Sequence, residues 1–119
     1  GWLEWYALVC LLEHAHSRGA GFSCARGVKV VFPNEDLHEL DVVCLPEGQP
    51  PICIECKSGE FRRDIDKYLR LRKRLNIDRG RFLILSTDLT QEQAAGLSAM
   101  YDLSFVSLQT LREHLQRLL

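Results

Sequence analysis

Two short segments carry the residues best suited to chemistry. "HELDVVCL" (residues 38–45) supplies Glu39 and Asp41, and "ICIECKS" (52–58) supplies Glu55 and Lys57. In an extended strand alternate residues share a face. Glu39, Asp41 and Val43 then share one face of the first segment, with Leu40, Val42 and Cys44 on the other. Cys53, Glu55 and Lys57 share a face of the second, with Ile52, Ile54 and Cys56 opposite. "PEGQPP" (46–51) joins the two and reads as a hairpin loop. Neighbouring strands lie about 4.8 Å apart, so Asp41 and Glu55 reach one point with Lys57 beside it. Two carboxylates there repel, which raises a pKa unless a cation neutralises them. Mg²⁺ or Mn²⁺ suits such a set of hard oxygens. The metal would activate water, and Lys57 would orient that water or balance charge on a phosphate. The competing reading is a cross-strand salt bridge on a solvated face. Glu55 and Lys57 are both expected to point into a solvated site, so truncating either should open no core cavity.

The elements that must hold these residues follow from pattern. Residues 2–17 read as a helix, with Trp2, Tyr6, Val9, Leu12 and Ala15 or His16 near helical spacing, and "RGAG" (18–21) ends it. "FSCARGVKVVF" (22–32) has strand character and "PNED" (33–36) reads as a turn. "RRDIDKYLRLRKRLN" (62–76) reads as a helix whose apolar side is Ile65, Tyr68, Leu69 and Leu75, with Arg72 lying awkwardly among them. "RFLILS" (81–86) suits a strand buried on both faces. Thr90 and Gln93 have capping-box spacing at the start of another helix. "SFVS" (104–107) is a short strand, and Ser107 is placed to cap the last helix, "LQTLREHLQRLL". The order α-β-β-β-α-β-α-β-α begins with adjacent antiparallel strands and continues with crossovers, so a mixed α/β sheet flanked by helices is expected.

Composition sets the outer limits. The chain has 119 residues, enough for one domain with a core and too few for two. No apolar run is long enough to span a bilayer, so no membrane association is expected. "WLEWYALVCLLEHAHSRG" carries Glu4 and Glu13 and lacks a basic leader, so it reads as a helix rather than an export signal. Five cysteines, an odd number in apolar segments, point to reduced buried thiols and a cytoplasmic location. Cys53 and Cys56 should point to opposite strand faces, which argues against zinc. Net charge is −1, yet it is unevenly spread. Residues 35–60 hold seven acids against Lys57, and residues 62–81 hold nine Arg and Lys against three Asp. An acidic hairpin followed by a basic helix suits a metal next to a phosphate. Arg63, Lys67, Arg70 and Arg74 form a stripe opposite the apolar side; the distal members read as a solvated face. Arg62 and Lys67 are the better substrate contacts. The four histidines make no ligand cluster, and Trp2, Trp5 and Tyr6 read as core or interface.

Asp41, Glu55 and Lys57 within this order of elements resemble the PD-(D/E)XK nuclease superfamily, of restriction-endonuclease-like fold: an αβββαβ core, here with an extra C-terminal αβα. Asp41 matches the first acid, Glu55 the second and Lys57 the lysine; Leu40 stands where the family often has Pro. More narrowly, "GWLEWY", "HELDVVCL" and "ICIECKSG" resemble the nuclease domain of CRISPR-associated proteins that carry an upstream CARF sensor domain, with His38 in place of the usual Asn. The resemblance implies a metal-dependent endonuclease in antiviral defence, acting on nucleic acid, DNA ahead of RNA. It also implies a homodimer and an effector domain within a longer protein. It adds Glu4 from the first helix and the backbone carbonyl of Cys56 to the metal ligands Asp41 and Glu55. Glu13 lies nine residues from Glu4, about half a turn round the helix, so both cannot face one site. Arg62, Arg63 and Lys67 are expected to touch nucleic acid. Two alternatives share these residues: a binding or assembly module of the same fold that no longer cuts, and a Holliday-junction resolvase or restriction-type enzyme.

Overall fold

The most apolar segments become the middle of one sheet. Strands β3 (Ile52–Lys57) and β4 (Phe82–Ser86) are buried along almost their whole length, because helices cover both faces. The computed structural model describes residues 1–19, 21–33 and 37–119. Around that pair lie β1 (Phe22–Val31), β2 (Leu37–Pro46) and β5 (Ser104–Val106), in the spatial order β1-β2-β3-β4-β5. β1, β2 and β3 are antiparallel neighbours, and β3, β4 and β5 run parallel. Helices α1 (Trp2–Ser17), α2 (Ile65–Leu75), α3 (Gln91–Met100) and α4 (Leu111–Leu118) complete the expected element order. The chain is thus an α/β fold with a mixed five-stranded sheet flanked by helices.

Each face of the sheet has its own apolar layer. Leu3, Ala7, Leu11 and Ala15 of α1 and Leu111 and Leu115 of α4 pack on Val42, Ile54, Leu83 and Leu85. Ile65, Tyr68 and Leu71 of α2 and Ala94 of α3 pack on Cys53, Phe82, Ile84 and Phe105. Leu71 is the buried residue that the sequence pattern passed over; Leu69 and Leu75 are only partly buried. Ile52, Ile54 and Cys56 share the α1 layer and Cys53 the α2 layer, so period-two alternation holds along β3. All five cysteines are free thiols, four of them buried.

Helix α1 corrects the sequence reading. It is apolar nearly all round, and two sets of residues have helical spacing. Leu3, Ala7, Cys10, Leu11 and Ala15 face the sheet. Trp2, Trp5, Val9 and Leu12 lie on the opposite, exposed side, with Trp2 and Trp5 59% and 55% exposed, so neither Trp is core. Tyr6 lies between, its hydroxyl donating to the Leu108 carbonyl at 3.3 Å.

The first two strands hold a second correction. Leu40 packs in the α2 layer while Val42 and Cys44 pack in the α1 layer, so the expected common face is broken. The break is shared by β1, where Cys24 packs against the α1 layer and Val28 and Val30 against the α2 layer. Pairing runs from Arg26↔Val42 to Val28↔Leu40, which places Gly27 opposite Asp41. Gly27 has φ +61°, a conformation that glycine adopts without a Cβ penalty. The two strands therefore turn together at this point. Their outer half leaves β3, whose ladder with β2 covers only Val42↔Ile54 to Cys44↔Ile52.

The remaining boundaries have local causes. Residues 62–64 form a 3₁₀ turn, and α2 starts at Ile65. Asn76, in the left-handed region at φ +55°, ends α2. Arg72 is not misplaced: it donates to the Ile77 carbonyl at 2.9 Å and to Asp102 at 2.6 Å, tying the end of α2 to the chain before β5. The capping box of Thr90 and Gln93 is present in full. Ser107 caps a turn instead of the helix, accepting from the Thr110 N–H at 3.3 Å, and α4 begins at Leu111. Of the "PNED" turn, residues 34–36 lie outside the described residues, as does Ala20 of "RGAG". Among the described residues no helix is long and apolar enough to cross a membrane.

Candidate active site

The site sits where β2 parts from β3. One step beyond the last ladder pair, the strands are joined by side chains instead of backbone. The Cys56 N–H donates to Asp41 Oδ2 at 2.8 Å, and the Asp41 N–H donates to Glu55 Oε1 at 3.2 Å. Each carboxylate thus satisfies an amide that the departing ladder leaves over. Each also keeps a second oxygen outside that bond. A strand residue points its N–H and C=O to the same side, so the Cys56 carbonyl faces the same gap as its amide. Asp41 and Glu55, expected together across a hairpin, are brought together.

Electrostatics at the pair are unfavourable as it stands. Glu55 is only 5% exposed, which corrects the expectation of a solvated carboxylate. Burial first, and the Asp41 charge second, push its pKa up to about 8. Asp41 is raised as well, by burial and by the charges of Glu4 and Glu39, against the pull of the Cys56 amide and Lys57. A buried and a half-buried acid that resist ionising together are what a divalent cation would relieve.

Lys57 is adjacent but engaged. Its Nζ lies 3.0 Å from Asp64 Oδ2, with both side chains about one-third exposed. Asp64 comes from the 3₁₀ turn before α2, and its side chain could not be oriented from sequence. Lys57 remains close enough to Glu55 and Asp41 to favour their charged forms. Lys67, exposed on α2, does the same for Glu55, so the basic helix approaches the pair at that residue. Arg62 instead stacks over Phe61 at 4.9 Å and pairs with Glu60 at 3.6 Å, and Arg63 is exposed beside it. Of the outer stripe, Arg70 is exposed and Arg74 lies over Phe32.

Glu4 belongs to a neighbouring cleft. Gly1, Glu4, Arg26, Gly27, Glu39 and Asp41 line about 280 Å³ of space open to solvent. Glu4 Oε2 turns back to the Gly1 nitrogen at 2.8 Å, as an acid in the first helical turn does. Its charge is felt at Asp41, but the carboxylate is not joined to the pair. Glu13 bonds Arg112 at 2.6 Å, well away from the cleft, as the half-turn argument requires.

Sequence reasoning missed three residues here. Asp64 anchors Lys57. Tyr68, buried under α2, has its phenol pKa raised by burial and by the charges of Glu55, Asp64 and Asp41. Arg26 lies over the Trp5 ring at 4.1 Å and lines the cleft with Asp41. A lone Arg in a strand and a Tyr on a helical apolar face carry no signal by spacing.

The donor set fits a hard divalent ion in part. Among the described residues no three His, Cys, Asp or Glu side chains close on one point. Asp41 and Glu55 provide two carboxylates, and the Cys56 carbonyl faces the same gap. That is a sparse set of protein oxygens, which suits Mg²⁺ or Mn²⁺, ions that keep several waters.

These features define a class: an α/β fold in which a splayed antiparallel pair presents two acids and a lysine within a mixed sheet. No family model matches the chain, and no curated protein matches it. Among solved structures it is similar to the crystal structure of protein VC1899 from Vibrio cholerae. The TM-score is 0.71 at 17% identity, over 98% of this chain and 32% of that one. At this identity the likeness shows the fold. The chain spans about a third of the length of that protein.

Proposed function

We propose that this chain is a metal-dependent endonuclease domain that hydrolyses phosphodiester bonds in nucleic acid, DNA ahead of RNA. One observation carries the proposal: Asp41 and Glu55 are held against each other by the backbone amides of two diverging strands, with Lys57 next along the Glu55 face. Asp41, Glu55 and the Cys56 carbonyl would hold Mg²⁺ or Mn²⁺, with Glu4 approaching from α1. When bound, the ion supplies a nucleophilic water and stabilises charge on the phosphate. Burial keeps Glu55 out of bulk water, so a cation beside it meets a strong local field. Asp64 fixes the Lys57 ammonium near the pair, where it can meet a phosphate oxygen or the attacking water. Lys67, with Arg62 and Arg63 on the adjoining turn, would take flanking phosphates.

The expected cytoplasmic location rests on the free thiols. The expected homodimer, the sensor domain upstream and the place in antiviral defence rest on the sequence resemblance. Occurrence of this fold within a protein about three times as long agrees with an effector domain in a larger chain. The test is a calorimetric Mn²⁺ titration of the wild type and Asp41→Asn, paired with a panel of single-stranded, duplex and junction substrates. Mn²⁺ binding weakened by Asp41→Asn together with cleavage supports the nuclease. Binding of nucleic acid with no cleavage of any substrate replaces it with the non-cutting module.

A further inference from the structure

Cys24 on β1 and Cys44 on β2 stand directly opposite one another in the antiparallel register. Both turn toward the layer beneath α1, Cys44 as a buried member and Cys24 packed against it. The two thiols are near enough for each to influence the ionisation of the other. Opposed residues of an antiparallel pair have Cα atoms about 4.5–5.5 Å apart. A disulfide spans Cα separations of about 4.4–6.8 Å. The register therefore places the two Cα atoms within disulfide reach. Among the described residues no other cysteine stands opposite a cysteine in the strand register. Cys53 and Cys56 face opposite layers, and Cys10 lies on α1.

We propose that Cys24 and Cys44 form a reversible cross-strand disulfide when the protein meets a hydroperoxide. Cys24 is half-buried and admits a small oxidant, while Cys44 is fully covered. Its greater exposure marks Cys24 as the first nucleophile. The Cys24 thiolate attacks one oxygen of hydrogen peroxide and the O–O bond breaks. The departing hydroxide takes a proton and leaves as water, giving the Cys24 sulfenic acid. The Cys44 sulfur then attacks the Cys24 sulfur, the S–O bond breaks, and the hydroxyl leaves with the Cys44 proton as a second water. Two thiols lose two electrons in all, and one peroxide is reduced to two waters. Along each strand the link would lie three residues from Gly27 and Asp41, the point at which the strand pair turns away from β3. It would tie together the two strands that present Asp41. The proposal concerns thiol chemistry alone and stands apart from the nuclease reading.

The test uses the purified protein, treated with graded hydrogen peroxide, denatured, alkylated and weighed, then mapped by peptide digestion without reduction. Untreated protein should take five alkyl groups and oxidised protein three, with a Cys24–Cys44 linked peptide. Dithiothreitol should restore all five. Cys44→Ala at the same dose should show Cys24 oxidised to oxygen acids and no intramolecular link. Three results on wild type would overturn the proposal, and none depends on a variant folding. They are five alkyl groups at every dose, a link between any other two cysteines, or Cys24 carried to sulfinic acid without a link.

Discussion

Replacing Glu55 by Gln should make the metal-free protein more stable, and only above the pH at which a free carboxyl ionises. Glu55 is buried against Asp41, and its pKa stands at about 8 against an ordinary value of 4.5. In the folded state it holds its proton to higher pH than in the unfolded chain. Stability therefore falls as pH rises from about 4.5 through 8, where the unfolded chain has released a proton that the folded one keeps. A difference of one bound proton changes stability by about 1.4 kcal/mol for each step of one in pH, so wild type at pH 7 carries a penalty on the order of 3 kcal/mol relative to pH 4.5. Asp41, whose pKa is raised in the same direction, adds to this loss. The glutamine side chain cannot ionise, yet its carbonyl can still accept the Asp41 N–H that Glu55 accepts at 3.2 Å. Urea unfolding in EDTA at pH 5, 6, 7 and 8 should show wild type losing stability steadily and Glu55→Gln staying much flatter, the two separating most at pH 8. Saturating Mn²⁺ at pH 8 should return roughly 2–3 kcal/mol to wild type, the linkage expected at about 100-fold excess over Kd, and little to the variant. Parallel pH curves for the two proteins would refute this, because they would mean Glu55 ionises as freely folded as unfolded.

Further expectations follow from single contacts. Lys57→Ala should abolish cleavage while costing about 1 kcal/mol or less of stability, since the ion pair with Asp64 is partly exposed; circular dichroism and urea melts check the second half. Gly27→Ala should destabilise by about 1 kcal/mol, because φ is +61° and the new methyl would sit 3.3 Å from Glu39 Oε1. The same change should weaken Mn²⁺ binding, read by calorimetry, through its effect on Asp41 opposite. Arg72→Met should cost about 1–3 kcal/mol in urea unfolding by leaving the Ile77 carbonyl and Asp102 without this partner.

The site was legible where period two held. Along β3 alternation placed Glu55, Lys57 and the two cysteines on their correct faces, because that strand is paired with β4 from Cys53 to Lys57. It failed on β2, where a glycine on the other strand turns both chains and moves Leu40 to the far layer. Nothing near Leu40 in the sequence announces a turn whose cause lies on the neighbouring strand. The face of α1 was misread for a different reason. A helix apolar all round offers two solutions, and only the packing of Leu3, Ala7 and Leu11 on the sheet chooses between them. The burial of Glu55 escaped notice because strand patterns give direction and not depth; depth comes from α2 packing over the β3 face through Tyr68 and Ile65. Arg72 looked out of place on its helix because its acceptor Asp102 lies 30 residues away.

The central claim is that Asp41 and Glu55 together cut nucleic acid with a divalent ion. Its sharpest test is single-turnover cleavage of end-labelled DNA and RNA by wild type and Glu55→Gln, in Mn²⁺ and in EDTA. Wild type should cleave only with Mn²⁺, and Glu55→Gln should be slower by at least about a hundredfold, the scale of removing one group that acts on the reacting centre. Wild-type rates in the variant, or cleavage undiminished by EDTA, would contradict the claim.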